Sequence, residues 1–124
     1  MIATIFRASS AQILALLLIS AMSVGCRSYH VEITVENRTG TAIQLLEVDY
    51  PSASFGADAL PSDGHLSYSI QVRGTGPVKV QYKAAGGAQQ QASGPSLAER
   101  DEGRLEIILL PDGKVGFTPL LSHH

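Results

Sequence analysis

The 124-residue sequence predicts an all-β protein, an antiparallel β-sandwich of about seven strands that follows an apolar N-terminal segment. Three observations point there. Beyond Cys26, apolar residues recur at every second position in several short runs, the signature of half-buried strands. The runs are separated by turn-forming residues, since 11 of the 12 glycines and all 6 prolines lie after Cys26. No stretch of that region keeps a helical period. A small open β-barrel is the alternative architecture.

Residues 1–25 stand apart. They hold 17 hydrophobic residues, Ala8 to Cys26 is uncharged, and Ile13 to Ile19 is almost continuously aliphatic. Arg7 is the only charged side chain before that stretch. A positive start, an apolar centre and a small-residue end form the layout of a secretory signal peptide. Ser23-Val24-Gly25-Cys26 then resembles a bacterial lipobox, with small Gly25 before the cysteine and Ser23 where leucine is usual. The resemblance implies cleavage between Gly25 and Cys26. It also implies a diacylglyceryl group on the Cys26 thiol and acylation, such as palmitate, of the new amino group. Each buried CH₂ contributes about 0.8 kcal/mol, so two or three chains anchor stably. Arg27 follows where an aspartate would favour inner-membrane retention. The expected location is therefore the cell membrane or outer membrane, lipid-anchored, with the domain outside the cytoplasm. Two other accounts stay open: an ordinary signal peptide cut near Gly25, and a retained transmembrane anchor. Against the anchor, Ser9, Ser10 and Gln12 shorten the strongly apolar part, whereas about 20 residues are needed to span. A buried core helix suits so uniform a stretch badly, because it lacks a polar face.

The strands follow in order. Tyr29, Val31, Ile33 and Val35 share one face, opposite His30, Glu32, Thr34 and Glu36, and Asn37-Arg38-Thr39-Gly40 turns the chain. Thr41 to Tyr50 is strand-like but loses phase; a β-bulge near Gln44-Leu45, or burial of both faces, would account for that. Pro51 to Gly64 is predicted as a long loop, in which Phe55 and Leu60 cap the open end of the sandwich. Leu66, Tyr68, Ile70 and Val72 alternate again, as do Val78, Val80 and Tyr82 after Gly74-Thr75-Gly76-Pro77. Ala85-Gly86-Gly87-Ala88 leads into a weaker polar strand, Gln89 to Ala92. Leu105 to Leu110 is apolar but for Glu106, and Asp112-Gly113 signals a hairpin leading to Val115 and Phe117.

Strands at this spacing resemble immunoglobulin-like and fibronectin-like sandwiches in pattern, without the Cys…Trp…Cys core of immunoglobulin domains, since the chain has no tryptophan. The organisation expected is a signal peptide over 1–25, a lipidated cysteine and tether over 26–28, the domain over 29–121 and a polar tail over 122–124. The tether is short: Arg27 and Ser28 alone separate Cys26 from the first alternating strand, a reach of roughly 10 Å.

Composition and motifs exclude several functions. A single cysteine rules out a disulfide framework. From Cys26 onward there are 8 Lys and Arg against 11 Asp and Glu, net −3, with no basic run, so nucleic acid is not an expected partner. His30, His65, His123 and His124 have no zinc-ligand spacing, and His123-His124 is expected to be a frayed end. Asp58 and Asp63 do not follow the calcium-loop pattern. Glu99-Arg100-Asp101-Glu102-Gly103-Arg104 is predicted as a solvated loop. No Gly-x-Ser-x-Gly elbow or phosphate-cradling glycine motif occurs, so no catalytic residue is assigned and an enzyme is not expected. No cofactor is expected beyond the covalent lipid on Cys26, and no metal.

Together these features lead to a non-enzymatic binding or structural module. Membrane lipid, through acylated Cys26, and an envelope protein are its expected partners. Phe55, Asp58 and Asp63 are the candidate partner contacts, with an open sheet edge as a further route. The alternatives are a small-ligand binder using the 51–64 loop and an accessory subunit of a membrane complex.

Overall fold

The computed structural model describes residues 28–124. Gly25 and Cys26, and with them the lipobox expectation, lie outside the described residues. Eight strands follow in chain order: β1 (Val31–Asn37), β2 (Ile43–Tyr50), β3 (Ala53–Leu60), β4 (His65–Ile70), β5 (Gly76–Lys83), β6 (Gln89–Leu97), β7 (Glu102–Leu109) and β8 (Val115–Ser122). A single 3₁₀ turn at Pro111–Gly113 joins the last two. The strands form two open sheets, β4-β1-β7-β8 and β3-β2-β5-β6, so the all-β sandwich is observed with one strand more than expected.

The alternating residues of β1 carry out what the pattern predicts. Val31, Ile33 and Val35 are fully buried, and the register sets Ile33 beside Tyr68 of β4 and Leu105 of β7. Val78, Val80 and Tyr82 of β5 belong to the same core from the other sheet, as do Leu97 of β6 and Ile107 and Leu109 of β7. Burying each such side chain contributes about 1.5–3 kcal/mol.

The β2 phase slip is a bulge. Gln44 pairs with Lys83 and Glu47 with Gln81, so β2 spends one residue more than β5 over that interval. Leu45 takes the strain, at φ 51° and 54 % exposed, which turns Leu46 and Val48 inward alongside Ile43.

Three expectations are corrected. The predicted 51–64 loop contains strand β3, paired antiparallel with β2 from Tyr50↔Ala53 to Ile43↔Leu60. Only Pro51-Ser52, with Ser52 at φ 90°, and the turn at 61–64 remain as connections. The sandwich is also not wholly antiparallel: β1 runs parallel to β7, from Val31↔Gly103 to Asn37↔Leu109. Chain segments so far apart in sequence need no hairpin, and parallel pairing places both β1 and β7 inside the sheet. Finally, the 99–104 charge run is not a solvated loop throughout. Glu102 begins β7, and Asp101 is 2 % exposed.

Edge strands β3 and β4 approach each other along one flank, and β6 and β8 along the other. Pro95 on β6 and Pro119 on β8 sit where a missing N–H is tolerated. On the β6/β8 flank the Phe117 ring covers Gly94, where a Cβ would lie 2.5 Å from the ring.

Candidate functional site

Each predicted contact residue has a different setting. Phe55, on β3, is 8 % exposed. Its ring stacks on Tyr68 of β4 at 4.9 Å and 13°, with Tyr50 tilted against it at 6.3 Å. It closes the β3/β4 flank from inside rather than offering itself to a partner. Asp58 is exposed on β3, at the open edge of that sheet. Asp63 belongs to the turn before β4, at φ 62°, and its backbone N–H donates to the Asn37 carbonyl at 2.8 Å. The structure therefore does not bring the three together as one loop surface.

Asn37, expected only as a turn residue, carries a larger role. It is fully buried, at the core-facing end of β1. Its Nδ2 donates to the carbonyls of Thr41 (2.9 Å), Leu60 (3.1 Å) and Pro61 (3.0 Å). Its Oδ1 accepts from the Thr39 backbone N–H (3.1 Å) and hydroxyl (2.7 Å). The short amide thus pins the β1–β2 connection to the end of β3 and the turn that follows it, a local Asx-type turn extended into a tertiary clamp.

At the opposite end, Asp101 accepts the Ala98 backbone N–H at 2.9 Å, and its second oxygen lies 2.5 Å from Nδ1 of His123. The His124 ring stacks on Tyr29 at 4.8 Å. The end expected to fray is thus held to the domain by two contacts, although the ring of His123 is largely exposed.

The outer face of the β3-β2-β5-β6 sheet carries a polar row. Gln81 donates to Glu47 at 2.5 Å and accepts from Gln91 at 3.4 Å, following the cross-strand register. Beside it, Asp49, Lys79 and Ser93 line a shallow cleft. Partial burial pushes the Asp49 carboxyl above its ordinary range, helped by a hydrogen bond to Glu47 and by its negative charge, with Lys79 opposing. Burial also raises the Tyr82 phenol. Which of these polar residues become neighbours depends on register, so no sequence signal could have assembled the row. Among the described residues, no group of three or more His, Cys, Asp or Glu could hold a metal ion. No helix among them is long and apolar enough to cross a membrane.

No family model and no curated protein matches the chain. Among solved structures, the chain is similar to a protein from Eubacterium rectale determined by NMR. The two share 15 % identity at a TM-score of 0.53, over 73 % of this chain and 88 % of that one. At that identity the likeness concerns the fold alone.

Proposed function

We propose that the chain is a cell-envelope lipoprotein whose β-sandwich is a non-enzymatic binding or structural module held close to the membrane. The observation that carries this reading is the sequence Ser23-Val24-Gly25-Cys26, which ends an uncharged apolar segment and contains the only cysteine of the chain. The thiol has a role at that boundary, and the core of the sandwich is built without one. Binding is carried by exposed backbone: β3 is an edge strand without proline or lysine, with Asp58 as its single charge, and accepts a partner strand by β-augmentation. The small-ligand alternative loses the loop on which it relied, because residues 53–60 are that strand.

Mass spectrometry of the membrane fraction tests the anchor. The expected product begins at Cys26 and carries diacylglyceryl and acyl groups, and Cys26→Ser accumulates as uncleaved precursor. A water-soluble product with an unmodified thiol would overturn the reading.

A further inference from the structure

The charges of the domain are sorted by chain half, and the fold keeps the halves apart. Residues 29–70 hold six carboxylates, Glu32, Glu36, Glu47, Asp49, Asp58 and Asp63, against Arg38 alone, net −5 with histidine neutral. Residues 71–124 hold six Lys and Arg against five Asp and Glu, net +1. Strands β1 to β4 form the adjacent pairs β4-β1 and β3-β2, so the acidic half is one side of the sandwich and carries the β3/β4 flank. Strands β5 to β8 form the other side, whose edges are interrupted by Pro95 and Pro119. Neither β3 nor β4 contains proline, and β3 is the longer, at 8 residues against 6.

An edge strand presents unpaired N–H and C=O groups on its free side. Beside that edge the outer-face side chains of β3 are short, since Ser54 and Gly56 stand opposite Asp49 and Glu47 of β2. A Cβ at Gly56 would run into the Leu46 carbonyl oxygen, so the position stays bare. A shallow groove results, lined by Leu45, Glu47, Ser54, Gly56 and Asp58, with Leu45 54 % exposed as its apolar wall. The cations of this sheet, Lys79 and Lys83, both lie on β5, beyond β2. Arg38, just after β1, is paired with Glu36 at 3.0 Å.

Resting on strand addition at β3, we propose that the strand received there is a basic segment of another protein, with Lys or Arg at alternate positions. A strand added at the ordinary spacing lies about 9–10 Å from β2. A Lys or Arg on its outer face lays the aliphatic stem over Gly56 and against Leu45, and brings its charge to Glu47 or Asp58. Complementary charge also speeds the encounter and turns away acidic partners. A second copy of the chain is disfavoured at this edge: β3 against β3 brings together two sides at net −5 each, and β3 against β6 meets Pro95.

Amide hydrogen exchange on the full-length chain tests this, with synthetic peptides as long as β3 that alternate valine with lysine, threonine or glutamate. The lysine peptide slows exchange at 53–60 and binds about tenfold more tightly than the threonine peptide. Its affinity falls about tenfold between about 50 mM and about 500 mM salt. Glu47→Gln/Asp58→Asn, with an unchanged circular dichroism spectrum, removes the lysine advantage and leaves the threonine peptide's protection as it was. Ser54→Lys, at an exposed position, removes the advantage independently should the double variant misfold. Equal protection by lysine and threonine or glutamate peptides, or an advantage that survives these substitutions, overturns the basic partner and leaves strand addition standing. Protection at 53–60 by none of the peptides overturns strand addition at β3, and the proposal with it. A concentration-dependent dimer protected at 53–60 without peptide makes the occupant a second copy and overturns the proposal as well.

Discussion

Replacing Asn37 by alanine tests the account of the clamp most directly. The side chain is 0 % exposed, and its amide reaches three carbonyls while its oxygen accepts two donors from Thr39. Two N–H protons serve the three carbonyls, so the variant loses about four effective hydrogen bonds. At about 0.5–1.5 kcal/mol each, the loss is about 2–4 kcal/mol once partial rehydration of the Thr39 and Thr41 groups is allowed. The Leu60 carbonyl lies in the buried part of the clamp and has no such relief. For a domain of this size, about 3 kcal/mol lowers Tm by roughly 12–20 °C. Urea unfolding followed by circular dichroism gives the free energy. Asn37→Asp sharpens the test at neutral pH, because it keeps an accepting oxygen but turns a carboxylate toward carbonyl oxygens; it should cost at least as much as alanine. Thr39→Val should cost about 1 kcal/mol and couple strongly to Asn37→Ala in a double-mutant cycle. A loss below about 0.5 kcal/mol for Asn37→Ala, or an Asp variant more stable than the Ala variant, would refute the clamp.

Two further substitutions probe the flank and the polar face. Gly94→Ala places a methyl group against the Phe117 ring; a destabilisation of about 1–3 kcal/mol is expected in the same urea assay, and a neutral result would mean the ring does not close that flank. Asp49→Asn addresses pH. A carboxyl raised in the folded state binds its proton more tightly there, so its stabilising contribution is complete below the ordinary value of 3.8 and lost as pH rises through the folded value. The asparagine variant should be more stable at neutral pH by up to about 0.5 kcal/mol, with Lys79 keeping the gain small, and equal to the parent in acid. A variant less stable at pH 7 would show that Lys79 dominates over burial and Glu47.

Of the contact residues, only part was legible. Asp58 is exposed as its polarity implies, and Phe55 and Leu60 are buried as capping residues would be, but Phe55 does so from strand β3, closing the flank by stacking on Tyr68 of β4. The Glu47-Gln81-Gln91 row joins residues from three strands, and their adjacency is a property of register. The Asp101–His123 contact was hidden for a similar reason. A dense run of charges reads as solvated until a turn closes Asp101 onto Ala98 and the chain end returns beside it.

The sequence by itself determined the elements whose local chemistry is unambiguous. Strict alternation specified β1, β4 and β5, and Asp112-Gly113, both at positive φ, specified the last hairpin; the broken phase at Gln44-Leu45 allowed a bulge or burial of both faces, and the pairing with β5 selects the bulge. Tertiary structure alone decided β3, whose small residues and mismatched Phe55 and Leu60 phases carry no alternation. That segment becomes a strand because the exposed backbone of β2 needs hydrogen-bond partners. Tertiary structure alone also decided the parallel β1–β7 pairing, since local propensity acts over a few residues whereas strand partnership is settled by burying one shared core.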